Sequence, residues 1–225
     1  MKQPLWKRLL SYFIELHIES TSSEYNPHLY VSLNQGRYQL CTENAIYSFD
    51  DLYDNYSDAF RMIKLDELPI QKVLILGFGL GSIPLILEKT FKKNYHYTGI
   101  EIDEEVIYLA SKYTLPKLSS PTQLICADAE LWMNQCQEQF DLITVDLFLD
   151  DVIPVVFEQI KFLEGLKKIL SPKGILLYNR LAYTPNDVEK ARAFYNEKFA
   201  SVFNSGQYLE VKGNWILINN KEVVK

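Results

Sequence analysis

Residues 72–82 read Lys72-Val73-Leu74-Ile75-Leu76-Gly77-Phe78-Gly79-Leu80-Gly81-Ser82. A short apolar run feeds straight into Gly-x-Gly-x-Gly. Twenty residues past the last glycine a second run, Tyr97-Thr98-Gly99-Ile100-Glu101, ends in an acid. A buried strand, a glycine turn, a helix from about Ser82 and a second strand ending in a carboxylate form a unit that cradles a nucleoside. The glycines let backbone approach a ligand closely, and the helix start offers free N–H groups. Glu101 can accept both hydroxyl protons of a ribose. The same pattern also fits a plain strand-to-helix turn, so the surrounding chain has to decide.

That surrounding chain alternates. Strands are predicted near Val73–Leu76, Tyr95–Glu101, Gln123–Cys126, Leu142–Val145 and Ile175–Tyr178. Helices are predicted near Ser82–Phe91, Glu104–Lys112, Ala129–Gln135 and Val155–Leu170, the last stopped by a turn at Ser171-Pro172-Lys173-Gly174. Such alternation means a mostly parallel sheet covered on both faces. A helix over Asp187–Phe199 and a hairpin of Tyr208–Val211 with Trp215–Ile218 place antiparallel strands at one edge. The first 49 residues read differently. After a short amphipathic helix come runs at Phe13–Ile18, Leu29–Leu33, Arg37–Cys41 and Ala45–Phe49, with turn residues Asn34-Gln35-Gly36 and Glu43-Asn44. We expect a small antiparallel β domain over 1–49 and a doubly wound domain over 50–225, its first helix capped by Asp50 or Asp51.

Composition narrows the function. The chain has 225 residues, 48% hydrophobic and 23% charged, with a net charge of −6 and no basic run. Nucleic acid is excluded as a partner on that charge. Three isolated cysteines and three scattered histidines give no metal-ligand spacing and suit a reducing, cytoplasmic setting. The segment from Trp6 to Ile14 is too short and too soon interrupted by charge for a signal peptide or membrane span.

Several motifs, in order, resemble the spermidine synthase-like branch of the class I methyltransferase superfamily over about residues 20–180. They are Gly36-Arg37-Tyr38-Gln39-Leu40-Cys41-Thr42-Glu43, the glycine loop, Glu101-Ile102-Asp103, Cys126-Ala127-Asp128-Ala129, and Phe140-Asp141-Leu142-Ile143-Thr144-Val145-Asp146. The resemblance implies a Rossmann-like fold and S-adenosylmethionine, its decarboxylated form or methylthioadenosine as ligand. By the same resemblance, Gly77, Gly79, Leu80 and Gly81 line the ligand, Glu101 holds the ribose, and Ile102 packs on adenine. Asp128 and the Ala129 N–H face the adenine edge, and Asp146 is the catalytic carboxylate. It also implies a homodimer and a small-molecule acceptor, an amine being the first to test. Glu101 and Asp128 fit helix caps as well, Asp146 fits a strand-end cap, and Asp150 and Asp151 fit an N-cap for the helix near Val155 better than an acidic rim.

The departures bear on the reaction. Where aminopropyltransferases carry a loop acid for the aminopropyl ammonium, this chain has Leu80. Their Tyr-(Gln or His)-Glu-Met segment is replaced by Phe49-Asp50-Asp51-Leu52, without the tyrosine hydroxyl. Their Asp-Ser-(Ser or Thr)-Asp-Pro is replaced by Asp146-Leu147-Phe148-Leu149-Asp150. On these grounds the leading expectation is methyl transfer to a small or polar acceptor. Aminopropyl transfer and a non-catalytic adenosyl-ligand binder are the alternatives. The superfamily's common acid before the loop is also missing, its place taken by Ile75.

Overall fold

Four antiparallel strands follow a short helix at the start of the computed structural model, which describes residues 3–225. Helix α1 spans Leu5–Leu10. Strands β1 (Leu16–Thr21), β2 (Leu29–Asn34), β3 (Arg37–Cys41) and β4 (Ile46–Phe49) pair in chain order. Gln35 and Gly36 both have positive φ, 50° and 72°. This is the twist that a two-residue hairpin between right-twisted strands requires. Strand β1 begins three residues later than expected, because Phe13 and Ile14 still donate to the Leu10 carbonyl at the end of α1.

The large sheet contains β5 (Lys72–Leu76), β6 (His96–Glu101), β7 (Thr122–Cys126), β8 (Phe140–Val145), β9 (Leu170–Leu181), β10 (Gln207–Val211) and β11 (Asn214–Ile218). They run in the order β10-β11-β9-β8-β5-β6-β7. Strands β5 to β9 are parallel, and β11 enters antiparallel between β9 and β10. The doubly wound sheet and the antiparallel edge hairpin are therefore both present. The order reverses between β5 and β8, and the crevice at such a point is where open α/β sheets take ligands.

Alternation along the strands builds two cores. Val73 and Ile75 of β5 point to one face, Leu74 and Leu76 to the other. The first face packs helices α2 (Asp54–Met62), α3 (Ser82–Lys89) and α4 (Glu104–Tyr113) together with Leu29, Val31, Leu33 and Leu40 of the small sheet. Its hydrophobic core thus runs across residue 49 without a break. The second face packs α5 (Ala129–Gln135), α6 (Ile160–Ile169) and α7 (Pro185–Phe194).

Three expected boundaries shift. Asp50 and Asp51 do not cap α2, which begins at Asp54 after a 3-10 turn over 50–52. Asp50, at φ 41°, accepts from the Tyr38 N–H and from Lys117 Nζ at 2.8 and 2.9 Å, and Asp51 pairs with Arg37. A buried acid so close to a lysine is held by charge rather than by the helix. The helix expected from Val155 splits into a 3-10 turn over Val155–Glu158 and α6. The stop at its end is real, but Ser171–Gly174 stays extended. Leu170 pairs with Phe140 and Ile175 with Leu142, so the intervening residues bulge from the ladder.

Candidate functional site

A cavity of about 900 Å³ opens at the carboxyl ends of the parallel strands. One side is formed by residues at or just past the ends of β5, β6 and β7: Gly77, Gly79, Ile100, Glu101, Ile102, Ala127, Asp128 and Ala129. The other is formed by the segment after β8, the end of β9, the β10–β11 turn and the start of α2. Asp146 lies where the two sides meet.

Gly77 makes this meeting possible. Its φ is 82°, and a Cβ on it would stand 2.1 Å from the Asp146 carbonyl oxygen. The Asp146 N–H donates to the Leu76 carbonyl at 2.8 Å. Only glycine lets the ends of β5 and β8 approach this closely while turning.

Glu101 latches the loop. One carboxylate oxygen accepts from the Gly79 N–H at 3.0 Å, the other from the N–H groups of Ile102 and Asp103 at 3.0 and 3.3 Å. Burial pushes its pKa up, against the pull of these donors. The carboxylate therefore faces the cavity from a fixed position, and Oε2, with a single donor, has a lone pair left for a hydroxyl. Asp128 caps α5, accepting from the Leu131 N–H at 2.9 Å with one oxygen, and lines the cavity as well. The cap and the ligand-facing position coexist. Asp103 is buried and structural: it caps α4 and accepts from Ser23 and Asn26 of the β1–β2 connection.

Leu80 and Gly81 are not among the cavity-lining residues. The Leu80 side chain is 1% exposed and packs in the first core, and Gly81 turns against Phe78 and Thr114. An apolar side chain at this point gains more from the core under the loop than from the cavity.

Asp146 is held by two neighbouring side chains. Its Oδ2 accepts from the Tyr53 hydroxyl at 3.0 Å and its Oδ1 from the Asn179 amide at 2.7 Å. Asn179 in turn accepts from the Asn214 amide at 2.8 Å. Burial raises the Asp146 pKa to about 6, although both hydrogen bonds lower it. Burial, followed by the nearby Asp146 charge, lifts the Tyr53 hydroxyl well above its ordinary value, so it stays a donor. A carboxyl poised near neutral pH in a cleft can hold a cation or take a proton.

Beyond Asp146 the segment Leu147-Phe148-Leu149 forms a wall. It is pinned by a tight turn, with Leu149 and Val152 exchanging backbone bonds of 2.8 and 3.1 Å. The Asp150 carboxylate accepts from Thr42 Oγ1 and from Asn44, and the Tyr47 hydroxyl bonds Asn26, the Phe148 carbonyl and the Asp150 N–H. Asp150 does not cap the turn at Val155, whose N-cap is Pro154. It ties the wall to the small sheet instead.

Sequence reasoning missed Tyr53, Asn179, Asn214 and Tyr47. Asn179 had a signal, being a polar residue directly after the apolar run Ile175–Tyr178 at a parallel strand's carboxyl end. Tyr53 had none, since only the 3-10 turn before α2 aims it at Asp146. Among the described residues, no group of histidine, cysteine or acidic side chains could hold a metal ion, and no helix is long and apolar enough to cross a membrane.

Strand order, glycine loop and strand-end acid define the Rossmann-like fold of class I methyltransferases. Within that class, the chain belongs to the spermine/spermidine synthase domain family, whose model matches residues 56–208. A probable polyamine aminopropyl transferase of Bifidobacterium longum (strain NCC 2705) is 29% identical over 140 residues, covering 60% of this chain and 30% of that protein. A polyamine aminopropyltransferase of Vibrio vulnificus (strain CMCP6) is 28% identical over 137 residues, covering 60% of this chain and 45% of that protein. The match thus spans less than half the length of either curated relative. The structure of a probable spermidine synthase from Corynebacterium glutamicum ATCC 13032 superposes with a TM-score of 0.73 at 16% identity, covering 89% of this chain and 78% of that one. A spermidine synthase in complex with a transition state analogue, AdoDATO, gives 0.70 at 16% identity, covering 90% and 72%.

Proposed function

We propose that the protein transfers an aminopropyl group from decarboxylated S-adenosylmethionine to an amine. The observation that carries this reading is Asp146, a carboxyl held between Tyr53 and Asn179 at the junction of the cavity's two sides. The family and its curated relatives favour aminopropyl over methyl transfer. The local chemistry agrees, because among the described residues no cationic side chain lines the cavity at the ends of β5–β7, where a donor carboxylate would need one.

The residues fit an adenosyl donor. Glu101 is fixed to receive ribose hydroxyls, Ile102 offers an apolar face and Asp128 a free oxygen. The donor supplies a carbon made electrophilic by its sulfonium. The acceptor nitrogen's lone pair forms the C–N bond as the C–S bond breaks, and the bonding pair leaves on sulfur as methylthioadenosine. The nitrogen's surplus proton passes to the Asp146 carboxylate. Tyr53 and Asn179 hold that carboxylate in place, and Tyr53 provides the hydroxyl that Phe49 lacks.

Mass spectrometry of products from an amine mixture, with either S-adenosylmethionine or its decarboxylated form, tests the reading. An adduct gaining an aminopropyl group supports it. A methylated product alone replaces it with methyl transfer, the reading favoured by the absence of an acid in the glycine loop.

We also propose self-association through α1. Leu5, Trp6, Leu9 and Phe13 are 71%, 62%, 58% and 85% exposed, more apolar surface than a lone helix keeps in water. Light scattering of the protein and of Trp6→Glu tests it, with a smaller species expected for the variant.

A further inference from the structure

Two amides in a row join Asp146 to the edge hairpin. Asn179, on β9, gives its amide N–H to Asp146 Oδ1 at 2.7 Å and accepts at its own Oδ1 from the Asn214 amide at 2.8 Å. Asn214 stands opposite Leu181 across the β9–β11 ladder, and Asn179 stands opposite Ile216. The two asparagines are therefore diagonal neighbours on one face of the sheet. Both line the cavity. Strand β11 runs between β9 and β10, so the backbone at Asn214 is held by Leu181 on one side and Val211 on the other.

The orientation of both amides follows from the acid at the end of the row. An ionised carboxylate only accepts, so Asn179 has to turn its nitrogen towards Asp146. Its oxygen then points the other way. Asn179 is 2% exposed, so that oxygen needs a donor within the protein. Asn214 is that donor. Without it the Asn179 amide is free to turn end for end and set its oxygen against Asp146. Two acceptors then face each other unless the carboxyl carries a proton.

We propose that Asn214 is a positioning residue for Asp146, acting through Asn179 to hold an N–H, and not a carbonyl oxygen, against its carboxylate. This rests on the reading of Asp146 as the group that takes the acceptor's proton. Other groups around the cleft do not duplicate the role. The Tyr53 hydroxyl serves the other oxygen, Oδ2, and the Tyr56 hydroxyl is spent on the Val145 carbonyl at 2.9 Å. Glu101 is held by the N–H groups of its own loop. Asp54, Asp150, Asp151 and Asp187 line the same cavity, and as carboxylates they favour a protonated Asp146, while Lys212 opposes them. All of these remain when Asn214 is changed, so their influence is common to every variant compared.

The test follows the Asp146 carboxyl directly, by carbon-13 NMR of the full-length protein labelled at its aspartate carboxyl carbons. The Asp146 signal is assigned by its loss in Asp146→Asn. Asn214→Leu nearly keeps the shape and removes the donor, and Asn214→Ala repeats the measurement without the leucine's bulk. Both should move the Asp146 titration upward by about 0.5–1 pH unit, and Asn179→Leu, which removes the N–H itself, by about 1–2. In the Asn179→Leu background, Asn214→Leu should add nothing, because its route to Asp146 is gone. An Asp146 titration that stays in place or moves downward in both Asn214 variants overturns the inference. So does a full further shift from Asn214→Leu when Asn179 is already leucine. The two readings fail separately. Aminopropylated product from a protein whose Asp146 titration ignores Asn214 leaves the reaction standing and removes this role. A titration that moves as expected, with no aminopropylated product, keeps the positioning and removes the reaction.

Discussion

The Tyr53 hydroxyl donates to Asp146 Oδ2 at 3.0 Å, joining the residue before α2 to the residue after β8. The bond favours the charged carboxylate and so opposes the burial that raises the Asp146 pKa to about 6. Tyr53→Phe should therefore move that pKa further up. In a pH profile of kcat, the rising limb should shift to higher pH, with kcat below the limb reduced about tenfold or more. A limb that stays in place would separate Tyr53 from the titrating group.

Asp146→Asn removes the base while nearly keeping the shape. Turnover should fall by about 10²–10⁴. Stability supplies a second readout. The folded pKa is raised above the unfolded value of 3.8, so the stability tied to this group is present at low pH and is lost as pH rises through about 6. The melting temperature of Asp146→Asn relative to wild type should thus improve from pH 4 to pH 8. In unfolding free energy the improvement should amount to as much as about 3 kcal/mol, and less where cavity water screens the charge. A relative melting temperature independent of pH would argue against the raised pKa.

Much of this was legible beforehand, for reasons that differ by residue. The parallel strands announced themselves because a strand buried on both faces has to be apolar throughout, as Val73–Leu76 is. Gly77 and Glu101 were readable because close approach and a strand-end acid leave few residue types available. The cap at Asp128 was one of two readings of the same short acid, and the structure keeps both open by giving only one oxygen to the helix. What stayed hidden depends on direction rather than identity. Leu80 belongs to the loop whose Gly77 and Gly79 line the cavity, yet its side chain turns into the core. Asp50 looks like a cap and is instead an ion-pair partner of Lys117, a residue 67 positions away. Tyr53 reaches Asp146 across 93 positions, and no local pattern encodes such a contact.

The Asp50–Lys117 pair gives a stability prediction. Asp50 is 4% exposed and held at positive φ, and its carboxylate meets Lys117 Nζ at 2.8 Å. Lys117→Met leaves a buried acid without its counter-charge. Unfolding free energy should drop by about 3 kcal/mol. The double variant Asp50→Asn with Lys117→Met should recover part of this in chemical denaturation. A drop for the double variant equal to the sum of the two singles would mean that the pair is not coupled.

Gly77→Ala tests the junction of β5 and β8. The added methyl meets the Asp146 carbonyl at 2.1 Å, and the backbone is already at φ 82°. Neither fault can be relieved without moving a strand end, so a loss of about 2–4 kcal/mol is expected in thermal denaturation. Gly36→Ala provides the comparison. Its φ of 72° is also positive, but the nearest atom to a new Cβ is the movable Tyr12 hydroxyl at 3.2 Å. The milder cost expected there, about 1 kcal/mol, isolates the clash from the dihedral.

Glu101 has two duties, and a ligand pair separates them. Its carboxylate already accepts from three backbone N–H groups, so Glu101→Ala should loosen the glycine loop and lower the melting temperature whatever is bound. If it also receives the ribose hydroxyls, a further loss appears only for ligands that carry them. For wild type, methylthioadenosine should bind about 2 kcal/mol more tightly than its 2′,3′-dideoxy analogue, the worth of hydrogen bonds to a charged acceptor. In Glu101→Ala that difference should vanish, while both ligands share whatever weakening the loosened loop causes. A difference that survives the substitution would assign the ribose hydroxyls to another acceptor. Asp128, with one carboxylate oxygen uncommitted to its helix, would then be the next residue to change.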